Sequence, residues 1–101
     1  MTKVIFRTWL SGGDTIAIFP EIPAGEWTCE SYQHIGQHGG CSIALSHAST
    51  RPATEHEIEP LLTELHLIGY DDLVIRKRAT RKMEENRQAA LKKLNRETNN
   101  E

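Results

Sequence analysis

The densest chemistry in the chain lies in Ser31-Tyr32-Gln33-His34-Ile35-Gly36-Gln37-His38-Gly39-Gly40, bracketed by Cys29 and Cys41. A phenol, two imidazoles, two carboxamides and three glycines fall within ten positions, where apolar core residues are scarce. An imidazole titrates near neutral pH, so His34 or His38 is a candidate general base, with Glu30 and Tyr32 near enough in sequence to orient it. The nucleophile would be Ser31, Ser42 or Cys41, and none stands in a recognisable elbow. Cys29, His34, His38 and Cys41 read C-x4-H-x3-H-x2-C. All four are zinc-ligand types, but the spacing departs from the short cysteine knuckle of structural zinc sites. Small buried thiols and hydrogen-bonded histidines account for the same residues. Gly36 to Gly40 lacks the lysine and the following helix of a phosphate-binding loop. No catalytic residue, metal or cofactor is therefore assigned, and the pattern favours a binding module over an enzyme. Tyr32, Gln33, His34, Gln37 and His38 stand as candidate binding residues.

A second candidate surface comes from charge. The chain carries a net charge of -2, split unevenly. Up to Ile75, three bases face ten acids, a net of -7; from Arg76 onward, nine bases face four acids, a net of +5. Arg76-Lys77-Arg78 and Arg81-Lys82 would suit phosphates or an acidic partner, with Trp9, Trp27 and Tyr32 as stacking faces for single strands. The same run also suits a charged edge strand that repels other strands. A pI of about 6.2 argues against a protein devoted to bulk nucleic acid. Arg51, just before a helix start, is a further candidate anion contact.

These groups need a scaffold, and hydropathy patterning supplies one. Lys3 to Trp9 and Thr15 to Phe19 are rich in β-branched and aromatic residues, and Ser11-Gly12-Gly13-Asp14 is a turn signal, so residues 3 to 19 read as a hairpin. Pro20 and Pro23 end its second strand. Trp27 to His34 reads as a third strand. Cys41 to His47 alternates with period two and reads as a fourth, which makes the glycine-rich stretch between them a loop. Thr54 and Glu57 form a capping box. Ile58, Leu61, Leu62, Leu65 and Ile68 then mark one helix face, with Pro60 in conflict and Gly69 as the cap. Leu73 to Arg78 reads as a fifth, edge strand. From Ala79 the residues favour a helix with a thin apolar stripe. The expected core is Phe6, Ile16, Ile18, Ile43, Leu45, Leu61, Leu62, Leu65, Ile68 and Leu73.

The expected architecture is thus α+β: a mainly antiparallel sheet of about five strands with one packed amphipathic helix, as a single domain over 1–78, followed by a basic helical extension over 79–101. At 101 residues, 38% hydrophobic and 26% charged, such a chain can bury one modest core. No apolar run reaches the roughly 18 to 20 residues that span a membrane. The first nine residues do not read as a signal peptide, and two cysteines give no disulfide framework, so a reduced cytoplasmic protein is expected.

Lys3-Val4-Ile5-Phe6-Arg7, Ile16-Ala17-Ile18-Phe19-Pro20-Glu21, Ser31 to His38, Arg51-Pro52-Ala53-Thr54 and Ile68-Gly69-Tyr70 together carry a resemblance. Over about residues 3 to 80 the chain resembles a family of small uncharacterised proteins of bacterial genomes, phages and other mobile elements, with no established activity. The resemblance implies context alone: binders or inhibitors of host machinery, including counter-defence proteins. The expected function is a non-enzymatic interaction module for a protein or nucleoprotein partner, with nucleic-acid binding through 76–82 and a small enzyme or metal protein at Tyr32, His34 and His38 as the alternatives.

Overall fold

The computed structural model describes residues 1–33 and 37–99. In chain order the elements are β1 (Thr2–Trp9), β2 (Thr15–Pro23), β3 (Cys29–Gln33), β4 (Gln37–Cys41), α1 (Ile43–Ser49), β5 (Thr50–Pro52), α2 (Glu55–Leu67), β6 (Leu73–Arg76) and α3 (Arg81–Asn99). The protein is α+β. Strands β4, β3, β2 and β1 lie side by side in antiparallel sequence. The far edge of β1 is shared: β5 runs antiparallel against Arg7 to Trp9, and β6 runs parallel against Thr2 to Ile5.

Both faces of this sheet are covered, and the alternation in β1 and β2 shows why. Val4, Phe6, Ala17 and Phe19 project to one face, where Tyr32 joins them and α2 closes over them with Leu61 and Leu65. Ile5, Ile16, Ile18 and Cys29 project to the other, where Met83 of α3 and Ile43 of α1 pack. A strand buried on both faces reads as a continuous apolar run, which is what Val4-Ile5-Phe6 and Ile16-Ala17-Ile18-Phe19 are.

Helix α2 carries its own start and stop signals. The Glu57 N–H donates to the Thr54 hydroxyl at 3.3 Å and the Thr54 N–H to the Glu57 carboxylate at 2.9 Å, a reciprocal capping box. At the other end the Tyr70 N–H reaches the Leu65 carbonyl and the Gly69 N–H the His66 carbonyl. Gly69 sits at φ +111°, so the end is a Schellman motif that needs a residue at ease in the left-handed region. Tyr70 then folds back and stacks on Phe19, ring centroids 5.2 Å apart. The helix runs unbroken through Pro60.

Helix α3 docks on the same sheet. Thr80 caps it, its hydroxyl accepting from the Met83 N–H at 3.2 Å. Met83 and Arg87 are buried on β2. Glu21 of β2 accepts from Lys3 at 3.2 Å and from the Asn86 amide, and Arg87 donates to the Pro20 carbonyl at 3.4 Å. Polar ties therefore do for α3 what its thin apolar stripe does not.

Three expectations change. The segment 41–47 is no strand: β4 ends at Cys41 and Ile43–Ser49 is α1, opened by the Ser46 N–H donating to the Ser42 carbonyl at 2.9 Å. Ile-Ala-Leu-Ser-His-Ala-Ser fits either period over so few residues, and its alanines tip the propensity to helix. The glycine-rich stretch contributes strand β4 rather than a loop, and the short strand β5 brings the sheet to six strands among the described residues. In the core, Ile68 is 49% exposed, because it is the cap residue where α2 turns away. Phe6, Ile16, Ile18, Leu61 and Leu65 are buried, while Ile43, Leu62 and Leu73 are half-buried. The Leu45 side chain lies outside the described residues.

Leu65 is fully enclosed, so Leu65→Ala removes packed methyl groups and should cost about 2 to 5 kcal/mol. Ile68→Ala, on an exposed cap, should stay within about 0.5 kcal/mol. Urea unfolding of both variants tests this; equal midpoints would mean that α2 presents a different face to the sheet.

Candidate functional site

Where β5 and β6 meet along the edge of β1, neither covers the strand completely. A groove of about 680 Å³ opens at this joint. Phe6 of β1 forms its base, with Pro52 and Ala53 at the β5 end. Ile58 and Leu62 of α2 supply one wall and Ile75 of β6 the other. Ile75 is 45% exposed, a large aliphatic side chain facing open space. The rim is charged with opposite signs: Glu55 and Glu59 on α2, Arg76 and Lys77 on the β6 side. Outward of β6 no further strand pairs among the described residues, so its outer edge is open.

The basic run continues from this rim. Arg76, Lys77, Arg78, Arg81 and Lys82 are all exposed between the end of β6 and the first turn of α3. Salt bridges among the described residues engage Lys3, Arg51, Arg87 and the N-terminus, and none engages this run. Lys82 feels the Glu21 carboxylate at longer range. These side chains present their charge to solvent.

Arg51 is different. It grips Glu57 with two parallel bonds, 2.7 and 2.6 Å. That pairing and the Thr54 N–H hold the Glu57 carboxyl down at about 2, against an ordinary value of 4.5. The arginine is thereby committed to the capping box and is not left for an external anion.

The stretch 31–40 also resolves differently from its appearance in sequence. Tyr32 is 1% exposed in the α2-side core, and its hydroxyl donates to the Glu64 carboxylate at 2.8 Å. Gln33 accepts from the Trp9 indole N–H at 3.3 Å. Both are tied into the fold. Gln37 and His38 belong to β4, with His38 in register with Tyr32, but their side chains lie outside the described residues, as does all of His34. Among the described residues no three His, Cys, Asp or Glu side chains gather to hold a metal ion. Of the three rings offered for stacking, only Trp27 is open, at 74%. It lies beside Gln88, Leu91 and Lys92 of α3, about 10 Å along the helix from Arg81.

Cys29 and Cys41 do come together. They face each other in the β3–β4 register with their sulfurs 3.6 Å apart. Cys29 is fully buried and Cys41 half-buried. The hydrogen bond shared with Cys41 raises the Cys29 thiol above its usual value, an effect that burial reinforces. That same bond, with the Ser46 and Ser31 hydroxyls and the Arg87 guanidinium, lowers Cys41 below the usual thiol value against the pull of burial.

Sequence reasoning did not single out the groove. Its one signal was Ile75, an aliphatic residue left beside a run of bases where a purely protective edge would carry none. It also missed Arg7, which is buried at the C-terminal end of α1, donating to the Thr50 hydroxyl and carbonyl at 2.9 Å each and to the His47 carbonyl. A cation suits that helix end, and no local pattern in β1 announces it.

Comparison of the chain with protein-family models, with curated proteins and with solved structures finds no match.

The Arg51–Glu57 pair carries a pH signature. The Glu57 carboxyl is depressed in the folded state, so its stabilisation is complete above pH 4.5 and is lost as pH falls toward about 2. The melting temperature of the protein should therefore exceed that of Glu57→Gln above pH 4.5, and the two should converge near pH 2. A difference that is constant across this range would show that Arg51 does not grip the carboxylate in solution.

Proposed function

We propose that the protein is a non-enzymatic protein-binding module that takes an extended partner segment along β6. The segment's apolar side chains enter the groove between α2 and β6, and its acidic groups meet the basic run that starts at Arg76. The observation that carries this reading is the adjacency of three features: an apolar groove with an exposed Ile75, an open strand edge, and cations without an ion pair among the described residues. An added strand gains affinity from main-chain hydrogen bonds and specificity from pockets for alternate side chains. Glu55 and Glu59 on the facing rim favour a protein segment over a nucleic-acid backbone, whose phosphates they would repel. A nucleoprotein partner would use the same surface through its protein component. The resemblance of residues 3 to 80 to small mobile-element proteins supports an inhibitor of host machinery, of the counter-defence type.

Selection of binders from a random peptide display library tests the proposal. The selected peptides should be rich in acidic and β-branched residues. Ile75→Lys, and separately Arg76→Glu with Arg78→Glu, should weaken them by about tenfold or more, about 1.4 kcal/mol per decade, with unchanged melting temperatures. Binding should fall as salt rises. Peptides indifferent to both variants would overturn the proposal. So would a single-stranded oligonucleotide that binds more tightly than any selected peptide and loses affinity in Arg76→Glu with Arg78→Glu.

A further inference from the structure

We propose that Cys29 and Cys41 are a redox-active dithiol that closes to a cross-strand disulfide by exchange with a small-molecule disulfide of the glutathione class. The argument rests on placement and is independent of the groove. Residues directly opposed on antiparallel strands have Cα atoms about 4.5 to 5.5 Å apart, inside the range of about 4.4 to 6.8 Å that a disulfide spans. Cys29 and Cys41 are opposed in this way, on the same face of the sheet, with sulfurs already 3.6 Å apart. Closing the bond asks for rotation about the side chains and a small approach of the strands.

The two thiols have unequal access, which assigns their roles. Cys41 is half-buried and can meet a small disulfide; Cys29, fully buried beneath it, cannot. Around Cys41 stand the Ser31 hydroxyl from β3, the Ser46 hydroxyl from α1 and the Arg87 guanidinium from α3, an environment that favours a thiolate. The Cys41 thiolate attacks one sulfur of the external disulfide. That sulfur–sulfur bond breaks, one small thiolate leaves, and a mixed disulfide remains on Cys41. Cys29 then gives its proton to the departing thiolate and attacks the Cys41 sulfur. The mixed disulfide breaks and the second small thiolate leaves, taking up a proton from water. The protein loses two electrons and two protons, and the external disulfide becomes two thiols. Closure ties the two strands that carry Tyr32 and His38 and leaves the α2–β6 groove untouched.

Treating the fully reduced, full-length chain with oxidised glutathione at neutral pH, and following intact mass and free thiols, tests this. The expected product is a monomer lacking two hydrogens, with no retained glutathione, restored by dithiothreitol and melting at a higher temperature than the reduced form. Cys29→Ser should instead accumulate one glutathione on Cys41, whereas Cys41→Ser should keep Cys29 unmodified while folded. Because Cys29 lies in the core, Cys29→Ala is run in parallel; it traps the same adduct without a buried hydroxyl. Disulfide-linked dimers, retention of two glutathiones on the unsubstituted chain, or modification of Cys41→Ser as fast as Cys29→Ala would each overturn the proposal.

Discussion

The structure depends on β1 being buried on both faces while one of its edges is completed by two separate strands. Val4 and Ile5 are both completely enclosed although they point in opposite directions. Such a strand obliges the chain to build cover on each side, which it does with α2 on one face and with α1 and α3 on the other. It also leaves a second edge that must be satisfied by backbone partners, since unpaired buried donors and acceptors are costly. The chain meets that demand with two short strands instead of one long one. The three residues of β5 and the four of β6 cannot cover the eight of β1 without a joint. At the joint the Ala53 N–H still reaches the Phe6 carbonyl at 3.2 Å, but the side-chain layer above is left open. The groove is therefore a by-product of how the edge is completed, and its apolar lining is core that has no local cover.

The parts of this fold that were legible in the sequence are those fixed by local chemistry. The β1–β2 hairpin, the capping box at Thr54 and Glu57, and the glycine stop at Gly69 each follow from residues whose backbone preferences are strong and near in sequence. The parts that were not legible depend on distant partners. Gly39 and Gly40 carry a loop signature, yet they lie in β4; a side chain at Gly40 would come within 3.2 Å of Ala24 and Thr28, so close approach of another segment selects glycine there. The seven residues of α1 satisfy either periodicity; helix propensity tips them one way, and Ile43 packing on the Ile5, Ile16 and Ile18 face fixes the outcome. Tyr32 had the look of a ligand-facing ring because its neighbours are polar, but its register with Ala17 turns it into the core.

Two arginines show how this small domain handles charge inside. Arg7 closes the end of α1 by donating to the His47 carbonyl and to the Thr50 hydroxyl and carbonyl, and the Thr50 hydroxyl in turn donates to the Ser46 carbonyl. Arg87 spans from α3 to the buried Pro20 carbonyl, in the stretch where the ladder of β2 to β3 shifts register. Each guanidinium supplies several donors from one side chain, which suits places where carbonyls converge without partners. The helices on the second face are thus attached by these hydrogen bonds as well as by the packing of Ile43 and Met83.

The parallel pairing of β1 with β6 joins Thr2 to Leu73, 71 positions apart. Strands β1 to β4 pair with their neighbours in sequence and can zip up early, whereas this closure has to wait for most of the chain. Until α2 and α3 arrive, the early four-stranded ribbon shows hydrophobic surface on both sides. During synthesis the nascent chain passes through a state with two sticky faces and an unsatisfied margin. Such a state is prone to association with other chains. The order of elements along the polypeptide therefore sets how long those two faces stand uncovered as the chain is made.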